Sequence, residues 1–205
     1  TATLNEVAKT NIVAGAMAAA PKTPTDLLTE IIRLVGAQQQ SIDLAKIEAY
    51  NNGNGTTPAA LTLADYTNAG VSGVALANLA SVNSALNTLS IDGAAADTTS
   101  EIQAVVDGYQ AILNAANGID DKTTATNPSA VDYKNIGVSG FDAPTDAATI
   151  AKASLLGDAI DIKAKADVDT VPEIQELANA AAAVIAAAGT GPAPTIDDLQ
   201  KLGIT

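Results

Sequence analysis

The amino-acid sequence predicts an all-α protein, organised as three tandem three-helix bundle modules of about 67 residues, each long-long-short, in an elongated array. Three observations predict it. First, Asp65-Tyr66-Thr67-Asn68-Ala69-Gly70-Val71-Ser72-Gly73 returns 67 residues later as Asp132-Tyr133-Lys134-Asn135-Ile136-Gly137-Val138-Ser139-Gly140. It returns 66 residues after that as Asp198-Leu199-Gln200-Lys201-Leu202-Gly203-Ile204-Thr205. Second, every copy carries helix start and stop signals at the same places. Third, hydrophobic residues make up 47% of the chain but aromatics only 2%, which favours closely packed, alanine-lined helices over a large aromatic core.

The start signal is a hydroxyl residue three positions before each aspartate: Thr62, Ser129 and Thr195. This is a capping box with Asp in place of Glu, in which the hydroxyl accepts an orphan N–H and the carboxylate answers it. The carboxylate also suits the positive end of the helix dipole. The stop signal is Gly70, Gly137 or Gly203 followed by Val71, Val138 or Ile204, the pattern of a Schellman-type end. Each copy therefore reads as a short helix of roughly two turns, with Leu63, Tyr66 and Ala69 on one face of the first.

Taken in order, residues 1–20 read as helix, with Leu4, Val7, Ile12 and Met17 loosely on one face. Thr23 is the next N-cap, with Pro24 in the first turn and Asp26 three residues on. A long helix follows, marked by Ile31, Leu34, Val35, Ile42, Ile47 and Tyr50 and weakened by Gln38-Gln39-Gln40. The stretch from Asn51 to Pro58 is a loop before the first short helix. Leu76, Leu79, Val82, Leu86 and Leu89 then have helical spacing, up to a break at Asp92-Gly93. Thr98 to Glu101 is a capping box for the clearest helix of the chain, with Ile102, Val105, Val106, Tyr109, Ile112 and Leu113 on its face. Asn117-Gly118 stops it. In the last third, Asp142 is the expected cap of a helix holding Pro144, Ile150, Leu155, Leu156 and Ile160. Thr170 to Glu173 repeats the capping box, and Ile174, Leu177, Ala178, Ala181, Val184 and Ile185 repeat the spacing from Ile102 to Leu113. A Gly/Pro loop from Gly189 to Pro194 leads to the final short helix.

Cutting after Ser72 and Ser139 divides the chain into repeat 1 (1–72), repeat 2 (73–139) and repeat 3 (140–205). Only about two residues separate one copy from the next, so a semi-rigid string of bundles is expected. The opposite phase, with the short helices opening each unit, would put the Pro/Gly loops between domains and leave half-units at both ends.

Composition narrows function. The net charge of −13 disfavours nucleic acid and anionic membrane surfaces, which need clustered Lys and Arg. No apolar run reaches membrane-spanning length, and Ile12 to Ala20 lacks the basic flank of a signal peptide. With no Cys and no His, disulfides, thiolate metal sites and Ser-His-Asp or Cys-His catalysis have no residues to use. The recurring Asp65, Asp132 and Asp198 invite a catalytic reading, but their position three residues after a hydroxyl favours capping. Tyr66 and Tyr133 read as core residues with solvated hydroxyls, and Asn83 as a partly buried polar residue. Asp120-Asp121, Asp167 with Asp169, and Asp197-Asp198 lack the alternating ligands and central Gly of a calcium loop, so weak, non-specific calcium binding is all that is expected. No catalytic, cofactor-binding or metal residue is assigned, no cofactor is expected, and the chain reads as a non-enzyme.

The run from Leu61 to Val74, continuing through Asn78-Leu79-Ala80-Ser81-Val82-Asn83, resembles the tandem helical repeats of giant Gram-negative bacterial surface and biofilm adhesins. So do Ala45 to Gly55 and the capped Glu101-Ile102-Gln103. The likeness covers the chain from about residue 40 to the end, while residues 1–40 match by phase, and Asp142-Ala143-Pro144 departs from the pattern. A fainter likeness, to the albumin-binding three-helix modules of Gram-positive surface proteins, rests on the Gly-Val-Ser turn. The resemblance implies an extracellular or cell-surface array and no chemistry. The expected function is thus a structural spacer or stalk fragment of a large secreted, repetitive, adhesin-like protein, monomeric as a fragment. The alternative is a three-helix binding module recognising a host or matrix protein. The expected partners exclude nucleic acid and membrane insertion and leave an unknown protein or surface ligand.

Overall fold

The computed structural model describes residues 6–18, 23–52, 59–119 and 127–204. Among them the chain is helical, without strands. The predicted cap at Thr23 starts α2 (Pro24–Asn51), which follows α1 (Glu6–Ala18). Asp26 N–H donates to Thr23 Oγ1 at 3.2 Å, and Thr23 N–H to Asp26 Oδ2 at 3.1 Å. The glutamine run does not interrupt α2, and two of its amides have partners: Gln39 Nε2 donates to Asp43 Oδ2 at 2.6 Å and Gln40 Nε2 to Ala69 O at 3.2 Å. Most of the loop expected up to Pro58 lies outside the described residues.

The three short helices α3 (Leu63–Asn68), α6 (Ala130–Asn135) and α9 (Ile196–Lys201) begin and end as predicted. Each is capped by its box and closed by a Schellman pair. In the first, Gly70 N–H donates to Thr67 O at 3.1 Å and Val71 N–H to Tyr66 O at 2.9 Å. Both bonds recur at Gly137-Val138 and at Gly203-Ile204, each 3.0 Å long. The three glycines have φ of 81°, 83° and 83°, in the left-handed region. At Gly137 a Cβ would also press on Thr88 Oγ1 and lie 3.2 Å from Ile91 Cγ1. Gly137→Ala is therefore expected to cost about 2 kcal/mol, read from the urea midpoint at constant m-value.

Between the short helices lie α4 (Leu79–Leu86) and α5 (Thr99–Ala115), then α7 (Ala147–Asp161) and α8 (Val171–Ala188). Two boundaries differ from expectation. Leu76 and Leu89 fall outside α4 and are strongly exposed. The amide of Asn78 accepts from Ala75 N at 2.7 Å and donates to Gly73 O at 2.9 Å, holding residues 73–78 in a turn. At the other end, Thr88 Oγ1 donates to Ala85 O at 2.9 Å. Asp142 is not a helix cap: α7 starts at Ala147 with Asp146 in the cap position. Pro144 occupies a turn closed by Asp146 N–H on Ala143 O at 3.0 Å, the second turn position its fixed φ suits.

The helix faces that the periodicity marks are buried on α5, from Ile102 to Leu113, and on the first half of α8, from Ile174 to Ala181. Val184 on α8 stays half-buried, and Val35 on α2 is exposed rather than part of the core face. α1 packs on α2, α2 on α3, α4 on α5, α5 on α6, α7 on α8 and α8 on α9. α7 also lies against α5 and α6, and α4 touches α8. Gly108 permits the close approach of α5 to α6, since a Cβ there would sit 2.8 Å from Asp132 O. Buried side chains from Ile47 to Leu202 consequently form one connected cluster. Ile12 and Ala16 of α1 are buried outside it. Among the described residues, no helix is long and apolar enough to cross a membrane.

Candidate functional site

The recurring aspartates are committed to helix starts. Asp132 Oδ2 accepts from Ser129 N and Oγ, both at 2.7 Å. Asp198 Oδ2 accepts from Thr195 N at 2.8 Å and Oγ1 at 2.7 Å, and these bonds hold its pKa below the ordinary value. Asp65 goes further. Its Oδ2 accepts from Thr62 N and Oγ1 at 2.7 and 2.8 Å, and its Oδ1 takes the Lys46 ammonium at 2.6 Å. Burial pushes the Asp65 pKa up, but the bonds from Lys46 and Thr62 outweigh it, and the net shift is downward.

The folded-state pKa lies below the unfolded value of about 3.9, so the Asp65 interactions contribute fully above that pH and are lost as pH falls through the folded value. Asp65→Asn is expected to be clearly destabilised at pH 7. The gap to the unsubstituted protein should narrow as urea midpoints are taken from pH 5 down to pH 2.

The tyrosine expectation is corrected. Tyr66 is fully buried, and its hydroxyl donates to Asn83 Oδ1 of α4 at 2.5 Å. Asn83 Nδ2 donates to Leu61 O at 3.0 Å, and Tyr50 Oη donates to Asn83 O at 3.2 Å. Asn83 is thus a buried junction joining α2, α3 and α4. Tyr133 is also fully buried, with its ring 4.9 Å from Phe141, centroid to centroid. Its hydroxyl has no hydrogen-bond partner among the described residues. Burial raises the pKa of both tyrosines.

The closing turns of α3 and α6 are each gripped by a later helix. Ser72 N and Oγ donate to Gln103 Oε1 of α5 at 2.9 and 3.2 Å, and Gln103 Nε2 returns a bond to Ser72 O at 3.1 Å. Ser139 N and Oγ donate to Gln175 Oε1 of α8 at 2.7 and 2.8 Å. Thr99 Oγ1 adds a bond to Ala69 O at 2.8 Å. Sequence reasoning missed both glutamines. The signal was present: each stands five residues after a threonine cap, Thr98 or Thr170.

Deeper ties cross the second of these joints. Tyr109 Oη donates to Val168 O at 3.2 Å, and Val171 N to Ser84 Oγ at 3.1 Å. Lys152 Nζ lies 3.8 Å over the Phe141 ring and donates to Gly140 O.

A groove of about 670 Å³ runs beside the second gripped turn, between α5, the segment from Ser90 to Ala95 and the residues from Lys134 to Asp142. Its titratable groups are Glu101, Lys134 and Asp142. The Glu101 carboxylate already serves as a cap, accepting from Thr98 Oγ1 at 2.6 Å and Thr98 N at 3.0 Å.

Among the described residues, no group of three or more acidic side chains is placed to hold a metal ion. Asp167 accepts from Ala164 N at 3.1 Å, Asp197 pairs with Lys201 at 3.0 Å, and Asp120-Asp121 lies outside the described residues.

No family model, no curated protein and no solved structure matches the chain.

Proposed function

We propose that this all-α chain is a semi-rigid spacer: three helical units, 1–72, 73–139 and 140–205, from a large, repetitive, secreted adhesin-like surface protein. The observation that carries the reading is the double grip. Gln103 holds Ser72 and Gln175 holds Ser139 through the same donor and acceptor atoms, at the joint between one unit and the next. A joint fixed by backbone bonds and by a shared core resists bending, as a spacer requires, whereas a flexible linker would leave those groups to water. The repeated caps and Schellman ends support the same reading, since each unit carries its own start and stop.

The test uses the surface protein that carries this segment. Excising residues 73–139 should shorten the reach of the distal region by one unit and lower adhesion under flow. Replacing them with an unrelated helical rod of equal length should restore it. Loss of adhesion despite equal length would overturn the spacer reading in favour of a binding module.

A further inference from the structure

The chain carries three Asn-Gly pairs, at 52–53, 54–55 and 117–118. Such a pair is chemically distinctive, because the amide of a glycine has no side chain to hinder its approach to the preceding asparagine carbonyl. Asn117-Gly118 is the pair that lies wholly within the described residues.

The stop after α5 shapes this pair. Ala115 and Ala116 are buried, so the helix ends against the core. Asn117, Gly118 and Ile119 then turn outward, and all three are exposed. Gly118 has φ 75°, and a Cβ built on it would meet nothing within 4 Å, so the turn stands open to water. Ile119 N–H donates to Asn117 Oδ1 at 2.7 Å. That bond closes a ring that contains the Gly118 amide, and it draws electrons away from Asn117 Cγ. Among the described residues, the Gly118 N–H itself donates to no acceptor.

Other asparagines lack this free amide. After Asn68, Asn78, Asn87 and Asn135 the next N–H is bonded to a carbonyl, at 3.0, 2.9, 3.1 and 3.3 Å. Asparagines inside α1, α4, α5 and α8 are followed by an N–H of the helical ladder. Asn127 precedes Pro128, which has no N–H. The Asn52 carbonyl is turned to another segment, where it takes Gly93 N–H at 3.0 Å.

We propose that Asn117 is a self-modification site, which in the native fold deamidates through a cyclic imide to aspartate and isoaspartate. Hydroxide takes the Gly118 amide proton, and the nitrogen lone pair attacks Asn117 Cγ. The N–Cγ bond forms and the carbonyl electron pair moves onto Oδ1, where the Ile119 N–H stabilises it. The pair then returns, the Cγ–Nδ2 bond breaks, and Nδ2 leaves as ammonia with a proton from water. A water molecule opens the imide. Opening at Cγ gives aspartate, and opening at the main-chain carbonyl gives isoaspartate, with one more carbon in the main chain. Either product sets a new carboxylate two residues beyond α5, at the negative end of its dipole, and loosens the turn. The inference is independent of the spacer reading.

The test incubates the full chain at mildly alkaline pH, folded in buffer and unfolded in urea. Products are mapped by peptide mass spectrometry and by labelling with an isoaspartyl methyltransferase. Asn117 should convert at least as fast in the folded chain as in urea, at a rate proportional to hydroxide. Asn117→Gln should remove the product from that peptide. Ile119→Pro deletes the N–H donor at an exposed position and keeps the Asn-Gly pair. It should slow conversion in the folded chain by about tenfold or more and leave the rate in urea unchanged. An unchanged urea midpoint would show that this variant is folded. Slower conversion in the folded chain than in urea, product confined to Asn52 or Asn54, or an undiminished rate in folded Ile119→Pro would each overturn the proposal.

Discussion

Tyr109→Ala is expected to lower the unfolding free energy by about 4 kcal/mol, the cost of emptying a large aromatic site in a packed core. Tyr109 is fully buried in the middle of α5. Its ring belongs to the connected cluster, and its hydroxyl reaches across to Val168 O, ahead of α8. In a chain of this length the loss corresponds to a fall in melting temperature of about 8–16 °C by calorimetry. Tyr109→Phe keeps the ring, so it should cost only about 1 kcal/mol, leaving one buried carbonyl short of a donor. A full-sized loss in the phenylalanine variant would show that the hydroxyl, not the packing, carries the residue.

The second large effect is expected at Asn83. Asn83→Leu removes the acceptor of the Tyr66 hydroxyl and the donor to Leu61 O, both in the interior. Each stranded group costs about 1–3 kcal/mol, so a total near 3 kcal/mol is expected from urea denaturation. Adding Tyr66→Phe deletes one of the stranded groups. The double variant should therefore be more stable than the sum of the single effects by about 1–2 kcal/mol. Strict additivity would mean that the two side chains do not act as a pair.

Local structure was legible and longer-range structure was not. The caps at Thr23, Thr98 and Thr170, and the boxes before Asp65, Asp132 and Asp198, follow from residues three apart. The glycine stops are equally local, since a left-handed residue followed by an apolar one needs no distant partner. Leu76 and Leu89 misled because helical spacing cannot reveal that the Asn78 side chain holds a turn before α4 and that Thr88 bonds back to Ala85 O after it. Asp142 misled because a proline nearby serves a turn as well as a first helical turn. The tyrosine hydroxyls and both glutamine grips depend on which helix lies across which turn. That is set by packing between residues 17–59 positions apart, beyond the reach of a spacing rule.

One feature of the packing bears on how the molecule responds to a pull. α1 rests on α2, and its buried Ile12 and Ala16 stand apart from the cluster that binds the other helices together. Tension applied along the chain would therefore peel α1 away at low force, acting as a mechanical fuse. The remaining helices, interlocked from Ile47 to Leu202, would share the load and yield late and together rather than one unit at a time.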